Sequence, residues 1–104
     1  MSKRALRPVL TAFERCGPLF QALGDPHRQS IILLLADNER LNVAAIAEAM
    51  PLSRPAISHH LKVLKSAGLV SMSRESRENF YTLTLDDCLD GLGELVHLAK
   101  SACT

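Results

Sequence analysis

Ser53, Arg54, Pro55, Ser58, His59 and Lys62 fall within ten residues of one another. Read as a helix, this stretch buries Ile57, Leu61 and Leu64, which recur at i, i+4 and i+7. Arg54, Pro55, Ser58, His59 and Lys62 then lie on the opposite side or at the exposed leading end. The chemistry of that face is recognition and not bond cleavage. An arginine can donate two parallel bonds to guanine or hold a phosphate. Ser58 and His59 have short reach to base edges, and Lys62 suits the phosphate backbone. His60 reads as a packing residue. Further along, Arg74 and Arg77 are expected to flank the tip of a turn, where such side chains reach a minor groove or a phosphate. Glu75 and Glu78 dilute the field there.

These residues need a scaffold, and the flanking signals outline one. Asp25-Pro26 is an acidic cap followed by proline at the first helical position, so a helix is expected over Pro26 to Ala36. Leu41 anchors the next start and Asn42 caps a helix over Val43 to Met50. A tight turn follows, and Ser53 caps the helix carrying the recognition face. Gly68 ends that helix. Leu69–Ser73 and Asn79–Thr84 read as strands joined by a polar turn from Arg74 to Glu78. Asp86-Asp87 opens a last helix with the charge its dipole favours. At the other end, the pattern Val9, Leu10, Phe13 is expected to stop at Gly17-Pro18, with a short turn of helix carrying Leu19, Phe20 and Leu23.

The resulting expectation is a mainly α chain with a small β-hairpin, ordered α-α-α-α-β-β-α: a winged helix-turn-helix. Three regions follow: a helical arm at 1–17, the winged helix-turn-helix at 18–85 and a C-terminal helix at 86–104. Leu89, Leu92, Leu95, Val96, Leu98 and Ala99 give that last helix more apolar surface than a small domain covers alone. A homodimer through the first and last helices is therefore expected. It would present two recognition helices to two half-sites of an inverted repeat.

Composition sets outer limits. The 104 residues fit one domain, and 47% apolar content makes it globular. No apolar run approaches the roughly 18 residues of a membrane span. Lys3, Arg4 and Arg7 precede no signal-peptide core, so a cytoplasmic location is expected by default. Net charge is only +1, but its distribution is uneven. Between Arg54 and Glu78, five basic residues face Glu75 and Glu78. Between Asp86 and Lys100, four acidic residues face Lys100 alone. A basic middle attracts phosphate and an acidic end repels it. Cys16, Cys88 and Cys103 form no CxxC pair and no disulfide framework is expected. The chain carries no phosphate-binding glycine loop, nucleophile motif or paired carboxylates, so no enzyme is expected.

The runs Leu23-Gly24-Asp25-Pro26-His27-Arg28, Leu52 through Leu64, and Ala67-Gly68-Leu69-Val70 resemble the ArsR/SmtB-type bacterial transcription repressors over about Pro18 to Leu83. The resemblance implies a homodimeric winged helix that represses its own or a neighbouring operon and often releases DNA when an inducer binds. Where many metal-sensing members of that family carry Cys-Val-Cys, this chain has Asn42-Val43-Ala44, which offer no thiolate. Asp86 and His97 match two ligand positions of other members, but the remaining two are Thr84 and Lys100. No metal, cofactor or catalytic residue is therefore assigned, and no inducer is identified. The expected function is sequence-specific DNA binding and autoregulatory repression, with double-stranded operator DNA as partner and no membrane. Two alternatives stand beside it: a winged helix used for protein–protein contact, and a repressor switched by oxidation of Cys16 and Cys103. Cys88 reads as core.

Overall fold

The computed structural model describes residues 3–103, with side chains from Leu6 onward. Met1, Ser2 and Thr104, the outer ends of the expected arm and C-terminal helix, lie outside the described residues. The elements are α1 (Lys3–Leu23), α2 (Pro26–Ala36), β1 (Leu41–Asn42), α3 (Val43–Ala49), α4 (Arg54–Ser66), β2 (Val70–Glu75), β3 (Glu78–Leu83) and α5 (Asp86–Cys103). Helices α3 and α4 form the helix-turn-helix, β2 and β3 the wing.

The caps read from the sequence form as expected. The Asp25 carboxylate accepts from the His27 and Arg28 amides at 2.8 and 3.1 Å. Asn42 caps α3 by accepting from the Ala45 amide at 2.8 Å, and the Ser53 hydroxyl caps α4 by accepting from the Ala56 amide at 3.3 Å. Helix α4 closes on Gly68, whose φ of +79° is cheap only without a side chain. The Gly68 amide donates to the Lys65 carbonyl and the Leu69 amide to the Leu64 carbonyl, both at 3.0 Å. This paired closure satisfies two carbonyls the helix leaves over. Ile57, Leu61 and Leu64 are fully buried on the main core, beside Ile31, Ile46 and Leu69.

Three expectations change. The first helix does not break at Gly17-Pro18; α1 continues to Leu23. Proline inside a helix costs about 3 kcal/mol. Here both flanks are held: Val9, Ala12 and Cys16 pack with Leu95, while Leu19 and Ala22 enter the main core. Second, Leu41-Asn42 is a strand, pairing antiparallel with β3 to give the sheet order β1-β3-β2. Two residues carry no periodicity, so the sequence offered no sign of it. Third, the wing turn is shorter than Arg74 to Glu78. The strands run on to Glu75 and Glu78, and Ser76-Arg77 alone make the turn, with φ of +49° and +70°. Positive φ at both central residues gives the turn whose twist matches the strands. Arg74 therefore lies within β2 and Arg77 within the turn itself.

Helices α1 and α5 run antiparallel. Pro18 and Leu19 border Asp87 and Cys88, while Arg7 and Pro8 lie beside Glu94 and Leu98. Their shared core meets the main one at Leu92 and, among the described residues, has four buried members. The pair projects: the radius of gyration is 16.4 Å, against about 13 Å for a compact chain of this size. Its outer side carries Leu10 (57% exposed), Phe13 (49%), Leu89 (54%) and Val96 (46%). Among the described residues no helix is long and apolar enough to cross a membrane. Gly68→Ala should lower unfolding free energy by about 1 kcal/mol, read from urea denaturation, because an alanine there strains the closure of α4.

Candidate nucleic-acid interface

All six residues expected on α4 and its cap are solvent-exposed: Ser53, Arg54, Pro55, Ser58, His59 and Lys62. The buried stripe fixes their direction. With Ile57, Leu61 and Leu64 at zero exposure and Ala56, His60 and Val63 half-buried beside them, the remaining part of the helix circumference faces outward. Within that face the structure separates two groups. Arg54 borders a cleft of about 180 Å³ with Asn42, Glu78 and Asn79, next to the wing turn. His59 and Lys62 border another, of about 300 Å³, with Pro18 and Gln21 of α1. Arg74 and Arg77 are also exposed, and Arg74 Nη1 donates to Asn79 Oδ1 across the strands at 3.4 Å. Among the described residues none of these cations is in an ion pair; the acids of the wing are engaged elsewhere, Glu75 by Arg40 and Glu78 by Asn42.

What aims α4 is a contact that sequence reasoning missed. Arg28, in the first turn of α2, donates Nε to the Ala22 carbonyl at 2.7 Å and Nη2 to the Gln21 carbonyl at 3.0 Å. Gln29 donates to the Leu23 carbonyl at 2.7 Å. Three carbonyls at the end of α1 are thus held by side chains of α2. The same guanidinium places Nη1 3.3 Å from His60 Nδ1 on α4. Arginine has no acceptor, so this nitrogen of His60 is the acceptor and its proton sits on Nε2. His27 and His59 flank His60, with ring centroids 5.9 and 6.0 Å away. His60 is accordingly the packing residue expected from sequence. Burial, followed by the Arg28 charge, holds its pKa below the ordinary 6.5, against an opposing pull from Asp25. Asp25 is itself lowered, chiefly by the Arg28 amide and then by that of His27.

Comparison with known proteins bears on the same stretch. Residues 25–72 match the family model described as "Bacterial regulatory protein, arsR family". An HTH-type transcriptional regulator of Methanocaldococcus jannaschii is 39% identical over 84 residues, which are 81% of this chain and 93% of that protein. The chain belongs to the ArsR family. The transcriptional repressor SdpR of Bacillus subtilis is 33% identical, over 76% of this chain and 87% of SdpR. A homodimeric winged helix-turn-helix DNA-binding domain from Mycobacterium bovis, solved by NMR, is 32% identical with a TM-score of 0.64, covering 97% of this chain and 88% of that one.

Within this ArsR-family chain, the residues matched to sensing positions have other work or other neighbours. Asn42 caps α3 and donates to Glu78 Oε1 at 3.2 Å. Asp86 and His97 are both exposed on α5 and are separated by about 16 Å of helix rise, too far to share an ion within one protomer. Cys16 is buried and Cys103 exposed. Cys16 lies in one cleft with Cys88, whereas Cys103 is about 22 Å further along α5. Cys88 donates its thiol to the Ala67 carbonyl at 3.3 Å, and burial, then the Asp87 charge, pushes that thiol up.

Two outcomes follow. Arg77 sits at a φ of +70°, a region that costs a residue with a side chain roughly 1–2 kcal/mol. Arg77→Gly should therefore stabilise the chain while weakening duplex binding, so that urea midpoint and affinity move in opposite directions. For His60, a base with a lowered folded pKa binds fewer protons folded than unfolded. Its contribution is complete above pH 6.5 and is lost as pH falls below that value. The melting temperature should drop between pH 7.5 and 5.5, and His60→Gln should flatten that drop.

Proposed function

We propose that this ArsR-family chain is a homodimeric, sequence-specific DNA-binding transcriptional repressor that reads an inverted repeat, including one upstream of its own gene. The observation that carries this is the exposed polar face of α4 beside the wing arginines. Ser53, Arg54, Pro55, Ser58, His59 and Lys62 would meet the major groove and its flanking phosphates. Arg74 and Arg77 would reach the backbone or the minor groove. The chain then divides into an arm at 1–17, a reading unit at 18–85 and a dimerisation helix at 86–104, with α1 belonging to both of the first two. The apolar stripe Leu10, Phe13, Leu89 and Val96 supports a dimer through α1 and α5. The four buried residues described in that pair make a small core, which a partner's helices would extend. The repressor SdpR and the homodimeric Mycobacterium bovis domain support the same reading. A bacterial cytoplasm is the compartment in which it would act, and neither an enzyme activity nor a metal at Asn42-Val43-Ala44 forms part of it.

Fluorescence anisotropy on duplexes tiled across the upstream region tests this, with sedimentation velocity for the dimer. Binding should be salt-sensitive, one dimer per inverted repeat. Arg54→Ala should weaken it by about 1–3 kcal/mol and relax preference at the contacted base. Absence of binding at 50 mM salt, or a monomer at micromolar concentration, would overturn the reading.

A further inference from the structure

The two carboxylates of the wing stand opposite each other. Glu75 pairs with Glu78 in the register of β2 and β3, immediately before and after the turn. Like charges directly opposed across antiparallel strands destabilise a hairpin. Neither carboxylate is left to face the other. Arg40 Nη1 donates to Glu75 Oε2, and its guanidinium lies over the Phe80 ring, 4.3 Å from the centroid. Asn42 Nδ2 donates to Glu78 Oε1 at 3.2 Å. Arg40 immediately precedes β1 and Asn42 ends it, and β1 is paired to β3 through Leu41 with Tyr81 and Asn42 with Phe80. The strand β1 and the arginine that precedes it thus each hold one acid of the wing.

The consequence is electrostatic. Arg74 is bonded to the neutral amide of Asn79, and Arg54 shares its cleft with Glu78 without an ion pair among the described residues. With Glu75 paired to Arg40, the wing cations Arg74 and Arg77 keep their charge for an external anion, while Asn42 fixes Glu78 without cancelling its charge beside Arg54. We propose that Arg40 is a positioning residue for DNA binding: it acts through Glu75, pairing that carboxylate so that the neighbouring wing arginines Arg74 and Arg77 keep their positive charge for phosphate. This rests on the DNA-binding reading above. An exposed ion pair adds little to folding stability, so the effect belongs to affinity and not to the fold.

The test is a double-variant cycle on the full chain, read by duplex anisotropy as a function of salt together with thermal melting. Arg40→Ala should weaken binding about five- to tenfold near 100 mM salt, since a freed carboxylate then competes with phosphate for the wing arginines. Its melting temperature should stay near that of the unaltered chain. Glu75→Gln should bind at least as tightly as the unaltered chain. The Arg40→Ala/Glu75→Gln pair should recover to within about twofold, because the acid that needed restraint is gone. If the double variant stays as weak as Arg40→Ala, with the salt slope reduced by about 1, Arg40 touches phosphate itself and the proposal fails. Undiminished binding by Arg40→Ala also overturns it. Failure of the unaltered chain to bind any duplex would instead remove the DNA-binding reading, and this proposal with it.

Discussion

One guanidinium ties together the three parts of this molecule that must agree in direction. Arg28 closes the end of α1 through two backbone carbonyls and reaches His60 on α4 with its remaining nitrogen. Its planar fork suits this, because five donors in fixed geometry can satisfy three acceptors without losing alignment. The helix that projects from the domain, the helix that starts the core and the helix with the exposed polar face are therefore held in fixed relation. Apolar packing of Ile57, Leu61 and Leu64 sets how deep α4 sits. That stripe alone would leave the helix freer to slide or tilt, since hydrophobic contact is not directional. The bond to His60 adds the direction.

What the sequence revealed depended on the range of the interaction. Signals confined to four residues were legible: the Asp25 cap with Pro26, the Ser53 cap and the glycine closure at Gly68 all formed as read. So was the stripe of α4, because helical period converts spacing into a face. The same local reasoning misjudged Pro18, since its cost is real and only packing from Leu95 on one flank and the main core on the other overrides it. It also placed too long a turn at the wing. Ser76-Arg77 lacks the asparagine or glycine that usually announces a two-residue turn.

Contacts over long separations were not legible at all. Arg28 meets His60 across 32 residues, and Arg40 meets Glu75 across 35. A long flexible cation carries no sign of its partner in its own neighbourhood, and β1 is too short to show alternation. Glu75 and Glu78 illustrate the difference. By composition both subtract from a basic patch, but in the fold Glu75 is paired with Arg40 and Glu78 is bonded by the Asn42 amide.

The C-terminal end of α4 is tied by hydrogen bonds to the start of α5 and the segment that leads into it. There the Cys88 thiol meets the Ala67 carbonyl, the Thr84 hydroxyl meets that of Gly68 at 3.2 Å, and the Thr84 amide meets that of Leu69 at 3.0 Å. The opposite end carries the Ser53 cap, is packed into the core through Ile57 and opens onto the cleft beside the wing. A rigid helix turns a small rotation at one end into a larger displacement at the other. Helix α4 has 13 residues and so measures about 20 Å. A tilt of about 5° at the anchored end would carry Arg54 by roughly 1.7 Å, more than a hydrogen bond can tolerate. The fulcrum is thus built largely from the start of α5 and the residue that leads into it, while the displacement would be felt at the tip.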